Sequence, residues 1–226
     1  QYTRHEYESV AGRDRDLHRL QLPIHFNGPH GAWAIAGLLA PGLAASSNVF
    51  KDPLKRVSSD DLLLSGRLTA RRSLDARTSW FAGAAYDRAF GSPALYPVAG
   101  VEYGEMGRYA LRIAFPDPAL QIFLSGRQSL LLRAFPAGQR WHVLTDDFGG
   151  DFDYTLRAFR AELNWSVRLG RQLSLDLGAG YEFARHHDFV ADRQLSIDAD
   201  TADQWLVSLG LRWRGAPLPS THGTHL

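Results

Sequence analysis

The stretch Arg160–Trp213, RAELNWSVRLGRQLSLDLGAGYEFARHHDFVADRQLSIDADTADQWLVSLGLRW, decides how this chain folds. Trp165 and Val167 stand opposite Arg160, Glu162, Asn164 and Ser166. Leu173, Leu175, Leu177, Ala179, Tyr181 and Phe183 alternate with Ser174, Asp176, Gly178, Gly180 and Glu182. After a polar gap, Trp205, Val207, Leu209, Leu211 and Trp213 alternate with Gln204, Ser208, Gly210 and Arg212. A side-chain period of two over three long segments predicts β-strands, each with one apolar and one polar face.

Such strands suit two kinds of barrel. A soluble barrel turns its apolar face inward, and a membrane barrel inverts it. Three features favour the membrane. The apolar faces run five or six positions without a polar break, which suits strands of about 9–11 residues crossing a bilayer. Trp165, Tyr181, Phe183, Trp205 and Trp213 sit near the ends of those faces, where lipid-facing aromatic girdles belong. The polar faces mix glycine with charges of both signs, as a lumen does. Lys51 and Lys55 are the only lysines, fewer than a solvated outer face would carry. The expected fold is all-β: a closed antiparallel transmembrane barrel over residues 1–214, with a disordered periplasmic tail at 215–226.

The rest of the chain extends the pattern. Leu20, Leu22, Ile24 and Phe26 oppose Arg19, Gln21 and His25, with Pro23 suited to an edge or a bulge. Asn27–Gly31 has the composition of a turn. Trp33, Ile35, Gly37 and Leu39 form the next face, and Pro41–Asp60 a long loop. Leu62, Leu64, Leu68 and Ala70 oppose Ser65, Arg67, Thr69 and Arg71. Beyond Pro116-Asp117-Pro118 the apolar parity flips from Tyr109, Leu111, Ile113 and Phe115 to Leu120, Ile122 and Leu124. A second flip, from Tyr154, Leu156 and Ala158 to Phe159 onward, predicts a β-bulge. The count is about twelve strands, or ten if Gln1–Ser9 is not one. Turns near Asn27, Arg72, Gly104, Gly126 and Leu169 fall at one end. Longer connections, Val10–Asp16, Pro41–Asp60, Thr145–Asp153 and His186–Asp203, fall at the other. Short periplasmic turns and longer external loops are usual for outer-membrane barrels, which would put both termini in the periplasm.

Composition excludes several classes. The 226 residues carry a net charge of +1 and no basic block, so nucleic acid is not an expected partner. Cysteine is absent, which removes disulfides, thiolate metal sites and cysteine nucleophiles. No apolar run approaches 18 residues, so a membrane-spanning helix is not expected. No signal peptide shows at Gln1; on this expectation one was cleaved or precedes the numbering. No glycine-rich phosphate loop or metalloprotease helix motif occurs, and no cofactor is expected.

The series PVAGVEYGEMGRYALRIAFPDPALQIFLSGRQSLLLRAF (Pro97–Phe135) and the closing LVSLGLRWR (Leu206–Arg214) resemble an uncharacterised family of bacterial outer-membrane β-barrel proteins. The likeness covers about half the chain, Tyr96–Trp213. It implies a fold and a membrane, with lipid and lipopolysaccharide as surroundings, and no activity. Gly210, Leu211 and Trp213 also resemble the C-terminal signal read by the barrel assembly machinery. The chain departs from that signal by continuing past its aromatic.

The candidate functional residues are the inward charges: Arg19, Arg67, Glu102, Arg112, Arg133, Arg160, Glu162, Asp176, Glu182 and Arg212. They could set charge selectivity in a passive pore for small polar solutes or ions, or form a salt-bridge network that fills the barrel. The working expectation is the pore, a porin-like transport function. One alternative is a structural barrel anchoring a surface or periplasmic partner that the sequence does not identify. Another is a lipid hydrolase, for which His142 with Ser129, or His18 or His25, would have to meet a third group. His186-His187-Asp188 with Asp192 could suggest a metal. Adjacent side chains on extended chain diverge, so a polar external loop is expected there and no metal.

Overall fold

The computed structural model describes residues 2–8, 14–51, 53–143, 152–191 and 195–213. The expected tail at 215–226, and the loop residues 9–13 and 144–151, lie outside them. Among the described residues the chain forms fifteen strands and two one-turn helices. The strands are β1 (Tyr2–Glu8), β2 (Asp14–Gln21), β3 (Ile24–His30), β4 (Trp33–Ser46), β5 (Leu62–Ser73), β6 (Thr78–Asp87), β7 (Ala94–Glu105) and β8 (Tyr109–Phe115). They continue with β9 (Ala119–Ser125), β10 (Gln128–Pro136), β11 (Gln139–Val143), β12 (Phe152–Arg168), β13 (Leu173–Ala191), β14 (Leu195–Asp200) and β15 (Gln204–Trp213). The helices α1 (Ser47–Phe50) and α2 (Pro53–Arg56) lie between β4 and β5.

Strands β4 to β10 pair in chain order and antiparallel. β12 joins β10 and β11. β11 meets β4 in parallel at His142 and Ala45, where β5 has ended. Nine strands therefore close a ring. β13 extends it from β12 and carries β14 and β15 along its far edge. β2 and β3 follow each other along the other edge of β4, and β1 pairs β2. Fifteen segments replace the expected twelve because three strands are interrupted: β2/β3, β10/β11 and β14/β15 each share one neighbour. Pro23 sits in the first interruption, where the missing N–H breaks no ladder.

Connections differ at the two ends. Gly31-Ala32, Leu74–Arg77, Met106–Arg108, Gly126-Arg127 and Leu169–Gln172 close one end with two to four residues. Gly31 and Gly107 take positive φ there (62° and 76°), a conformation that costs glycine little. The first turn falls later than the composition suggested, since β3 continues through Asn27–His30. The other end carries α1 and α2 and the β6–β7 and β8–β9 connections. Two expected loops are in part regular structure: β4 runs on to Ser46 and α1 and α2 follow it within Pro41–Asp60, while β13 and β14 occupy much of His186–Asp203.

The two faces exchange character along the barrel axis. Toward the short-turn end the outer face is leucine and aromatic, with Leu68, Leu132, Leu163, Leu209 and Leu211 all exposed. Toward the other end the inside is apolar: Leu17, Leu63, Trp141, Val143, Tyr154 and Leu156 form one buried cluster. On β12, Tyr154, Leu156, Ala158, Arg160 and Glu162 all keep the inward parity. The flip expected at Phe159 is a change of surroundings, from core to charged interior. A register shift does occur there, but the extra residue is on the partner strand. Arg157 pairs His186 and Phe159 pairs Phe183, two steps on β12 against three on β13. Ala184, at φ 51°, sits in that bulge.

Candidate functional site

The inner face of the ring, continued on β13 and β15, carries a chain of ion pairs. Those between strands follow from parity: alternate residues of β5, β7, β8, β10, β12, β13 and β15 share the inward face, and neighbouring strands place arginine beside carboxylate. Arg67 meets Asp117 at 3.3 Å, and Arg71 meets Glu102 at 2.6 Å. Arg112 bridges Glu102 at 3.0 Å and Asp117 at 3.3 Å. Arg133 reaches Glu162 at 2.7 Å. Arg160 lies 3.2 Å from Glu162 and also holds Glu182, which is 2% exposed. Arg212 meets Asp176 at 3.0 Å, and the Ser166 hydroxyl donates to the same carboxylate at 2.5 Å. Arg19 stands apart: its Nε donates to Gln21 Oε1 at 2.8 Å.

Sequence reasoning missed Arg71, Arg88, Asp87 and Asp117 as site residues. Arg71 shares the parity of Arg67 and was legible. Asp117 lies in a turn, where a period of two says nothing about direction, yet it joins Arg67 to Arg112. Arg88 donates to the carbonyls of Leu62 at 2.9 Å and Arg140 at 3.0 Å. It thereby ties the end of β5 to β11 at the seam of the ring.

The space between these groups narrows along the axis. A cavity of about 880 Å³ contains Arg67, Arg112, Asp117 and Arg133, and one of about 690 Å³ beside it runs from His25 to Pro29 near the short-turn end. A third, about 350 Å³, lies deeper against Arg19, Arg88 and Arg160. Against Trp141 a space of about 10 Å³ lies between Leu63, Arg88 and Gln139. Trp141 is 1% exposed, so the interior ends at a packed core.

The aromatic residues group at two levels of the outer face. Phe159, Tyr181, Phe183 and Trp205 stack near the bulge, with Tyr181 and Trp205 rings 4.9 Å apart. Trp33 and Trp80, 5.0 Å apart, and Tyr103 and Tyr109 lie toward the short turns. Trp213 ends β15 at that level, paired with Leu173; Trp165, paired with Leu177, lies between the two levels.

Beyond the bulge the two histidines separate. His187 turns inward and is buried, bonded to the Tyr154 hydroxyl and to Thr201 Oγ1, both at 2.8 Å. Burial, then the neighbouring charges of Arg185 and His186, lower its pKa. His186 faces outward among Asp200 (2.9 Å), Asp198 (3.0 Å) and Asp188 (3.1 Å). The hydrogen bond to Asp200 first, then the charges of Asp198 and Asp188, raise its pKa. One atom each of His186, Asp188 and Asp198 falls within 4.8 Å of the others, a set chemically able to hold a divalent cation.

Among the described residues the expected pair of Ser129 and His142 does not meet. Ser129 bonds Gln121 on the short-turn half, while His142 pairs with Asp153 at the opposite end. His18 Nε2 lies 2.9 Å from Ser47 Oγ instead.

A family model described as "Domain of unknown function (DUF6268)" matches residues 14–214. The chain belongs to that family. The DUF6268 match begins where β2 begins and ends one residue past β15, so it spans the whole ring and the inner ion pairs. Neither the curated proteins nor the solved structures contain a match.

Proposed function

We propose that this DUF6268 protein is an outer-membrane β-barrel that acts as an anchoring barrel: a charged vestibule closed at one end, presenting its polar end outside the bilayer. The observation that carries this is the exchange of faces. Leucines and aromatics exposed around a charged interior suit hydrocarbon. An apolar core under an outer face of Arg157, His186, Asp188 and Asp198 suits water. Trp205 and Trp213 are eight residues apart, about 26 Å along a strand. At a tilt of about 40° that is roughly 20 Å of height, somewhat less than the usual apolar band of about 25 Å. The short turns then face the periplasm, and the barrel assembly machinery would insert the chain.

The packed core beneath Trp141 favours an anchor over an open pore. A gated pore is the second reading, favoured by the charged cavities that reach as far as that core. Planar-bilayer recording of the folded barrel tests both. The expected result is insertion without stepwise conductance. Conductance whose ion selectivity shifts in Arg67→Glu would replace the anchor with the pore. A chain that stays folded in buffer and does not enter lipid overturns the membrane placement itself.

A further inference from the structure

Among the described residues, Arg19 and Arg88 make no salt bridge to a carboxylate, although Asp87 acts on Arg19 and Asp153 on Arg88 at longer range. Arg67, Arg71, Arg112, Arg133, Arg160 and Arg212 each meet one within 3.3 Å. Arg19 bonds only the Gln21 amide oxygen. Arg88 bonds only two backbone carbonyls. Both line the cavity of about 350 Å³ at the closed end of the vestibule. Arg160 shares that cavity but is already neutralised by Glu162 and Glu182. The one carboxylate on the cavity wall is Asp87. It accepts from the Tyr96 hydroxyl at 2.9 Å and from the Ala89 N–H at 2.8 Å. The cavity therefore keeps an excess of one positive charge.

Charge withdrawn from water needs a counter-charge, and leaving it uncompensated is strongly unfavourable. Among the described residues of the wall, nothing beyond Asp87 supplies one. Two further groups describe what would. The Ser65 hydroxyl accepts from Gln21 Nε2 at 3.2 Å and keeps its own proton to donate. Gln139 Oε1 is buried with no hydrogen-bond partner, on the same cavity wall. Guanidinium groups and a hydroxyl donate to an oxyanion. An orphaned carbonyl oxygen asks for an O–H.

We infer that the inner end of the vestibule is a binding site for a small oxyanion bearing a hydroxyl, such as hydrogen phosphate or a 2-hydroxycarboxylate. Arg19 and Arg88 take the anionic oxygens, Ser65 donates to one of them, and Gln139 accepts the ligand's hydroxyl. Arg19 is the discriminating residue, because Arg88 also ties β5 to β11. The inference rests on the closed vestibule but not on lipid, and it can be read on the folded protein alone.

The test is titration calorimetry on the detergent-folded barrel at fixed ionic strength, with inorganic phosphate, lactate and propanoate as probes. Phosphate and lactate should bind saturably at one site, lactate at least tenfold tighter than propanoate. Arg19→Gln should weaken both about tenfold or more. Arg108→Gln, in the exposed Met106–Arg108 turn, should leave them unchanged. If Arg88→Gln fails to fold, Arg19→Gln still decides, since its one bond is to a neighbouring side chain. No saturable heat with a folded barrel overturns the inference, as does equal binding by Arg19→Gln and wild type. Lactate and propanoate binding equally removes Gln139's role and with it the ligand class. A barrel that binds phosphate but conducts in bilayers would overturn the anchor and leave the anion site standing.

Discussion

The Arg160 guanidinium holds the Glu182 carboxylate through both Nε and Nη2, directly across the β12–β13 pair. Glu182 is 2% exposed and also accepts from Gln204 at 2.8 Å. Removing one member strands a buried charge. Arg160→Ala is therefore expected to destabilise the barrel by about 3–5 kcal/mol. The joint replacement Arg160→Met with Glu182→Leu should recover part of that: Glu162 keeps Arg133, while Arg185, 3.7 Å from Glu182, loses its carboxylate. Denaturant midpoints of the three proteins decide it. A double variant no better than Arg160→Ala would mean the pair does more than neutralise itself.

Ala184 carries the bulge at φ 51°. Left-handed backbone costs a residue with a Cβ roughly 1–2 kcal/mol, and glycine avoids that. Ala184→Gly should raise the unfolding free energy by about 1 kcal/mol, measured by denaturant unfolding. Ala184→Val should lower it by more, since β-branching suits φ > 0 least. The opposite order would mean that the strand relaxes the bulge rather than holding it.

The sequence made the alternation legible because each strand keeps one chemistry per face over most of its length. Leu64 and Leu68 against Arg67 and Arg71 needed nothing more than a count of two. The flip after Pro118 is equally plain, and the register agrees, with Arg112 opposite Ala119 and Leu111 opposite Leu120. The misread positions are those where surroundings change while direction does not. Tyr154, Leu156 and Ala158 share a face with Arg160 and Glu162, but the apolar letters stop. A single strand cannot tell a turned side chain from a changed environment. For the same reason His186–Asp203 looks like loop: past the bulge its outward residues are polar. The ion pairs are legible as residue types but not as partners, since Asp117 meets Arg67 across 50 positions of sequence.

The adjacent histidines beyond the bulge predict opposite pH slopes. His186 is held protonated by Asp200, then by Asp198 and Asp188, so its folded pKa is raised. Its contribution is full below the ordinary value of about 6.5 and is lost as pH rises through the folded value. His187 is kept neutral by burial, so its folded pKa is lowered. Its contribution is full above about 6.5 and is lost as pH falls through the folded value. Denaturant midpoints between pH 5 and 8.5 should show His186→Gln losing the alkaline decline and His187→Gln losing the acid one. Unchanged slopes in either variant would mean that the ring in question is not coupled to folding.

Leu163 and Val190 are nearly equally exposed, at 47% and 45%, on the outer face of neighbouring strands. They lie on opposite sides of the bulge. In water, an arginine at either position would change stability by no more than about 0.5 kcal/mol, as exposed substitutions usually do. In a bilayer the two must part. Leu163 lies within the apolar belt, where an arginine costs about 2–4 kcal/mol near the midplane. Val190 stands beside Asp188 and opposite Asp153, beyond the belt, where an arginine meets water and carboxylates. Leu163→Arg should thus be strongly destabilised in lipid vesicles and Val190→Arg nearly neutral. The same pair unfolded from a detergent-free aqueous state would show no difference. Equal tolerance of both arginines in lipid would move the hydrocarbon boundary off this part of the barrel.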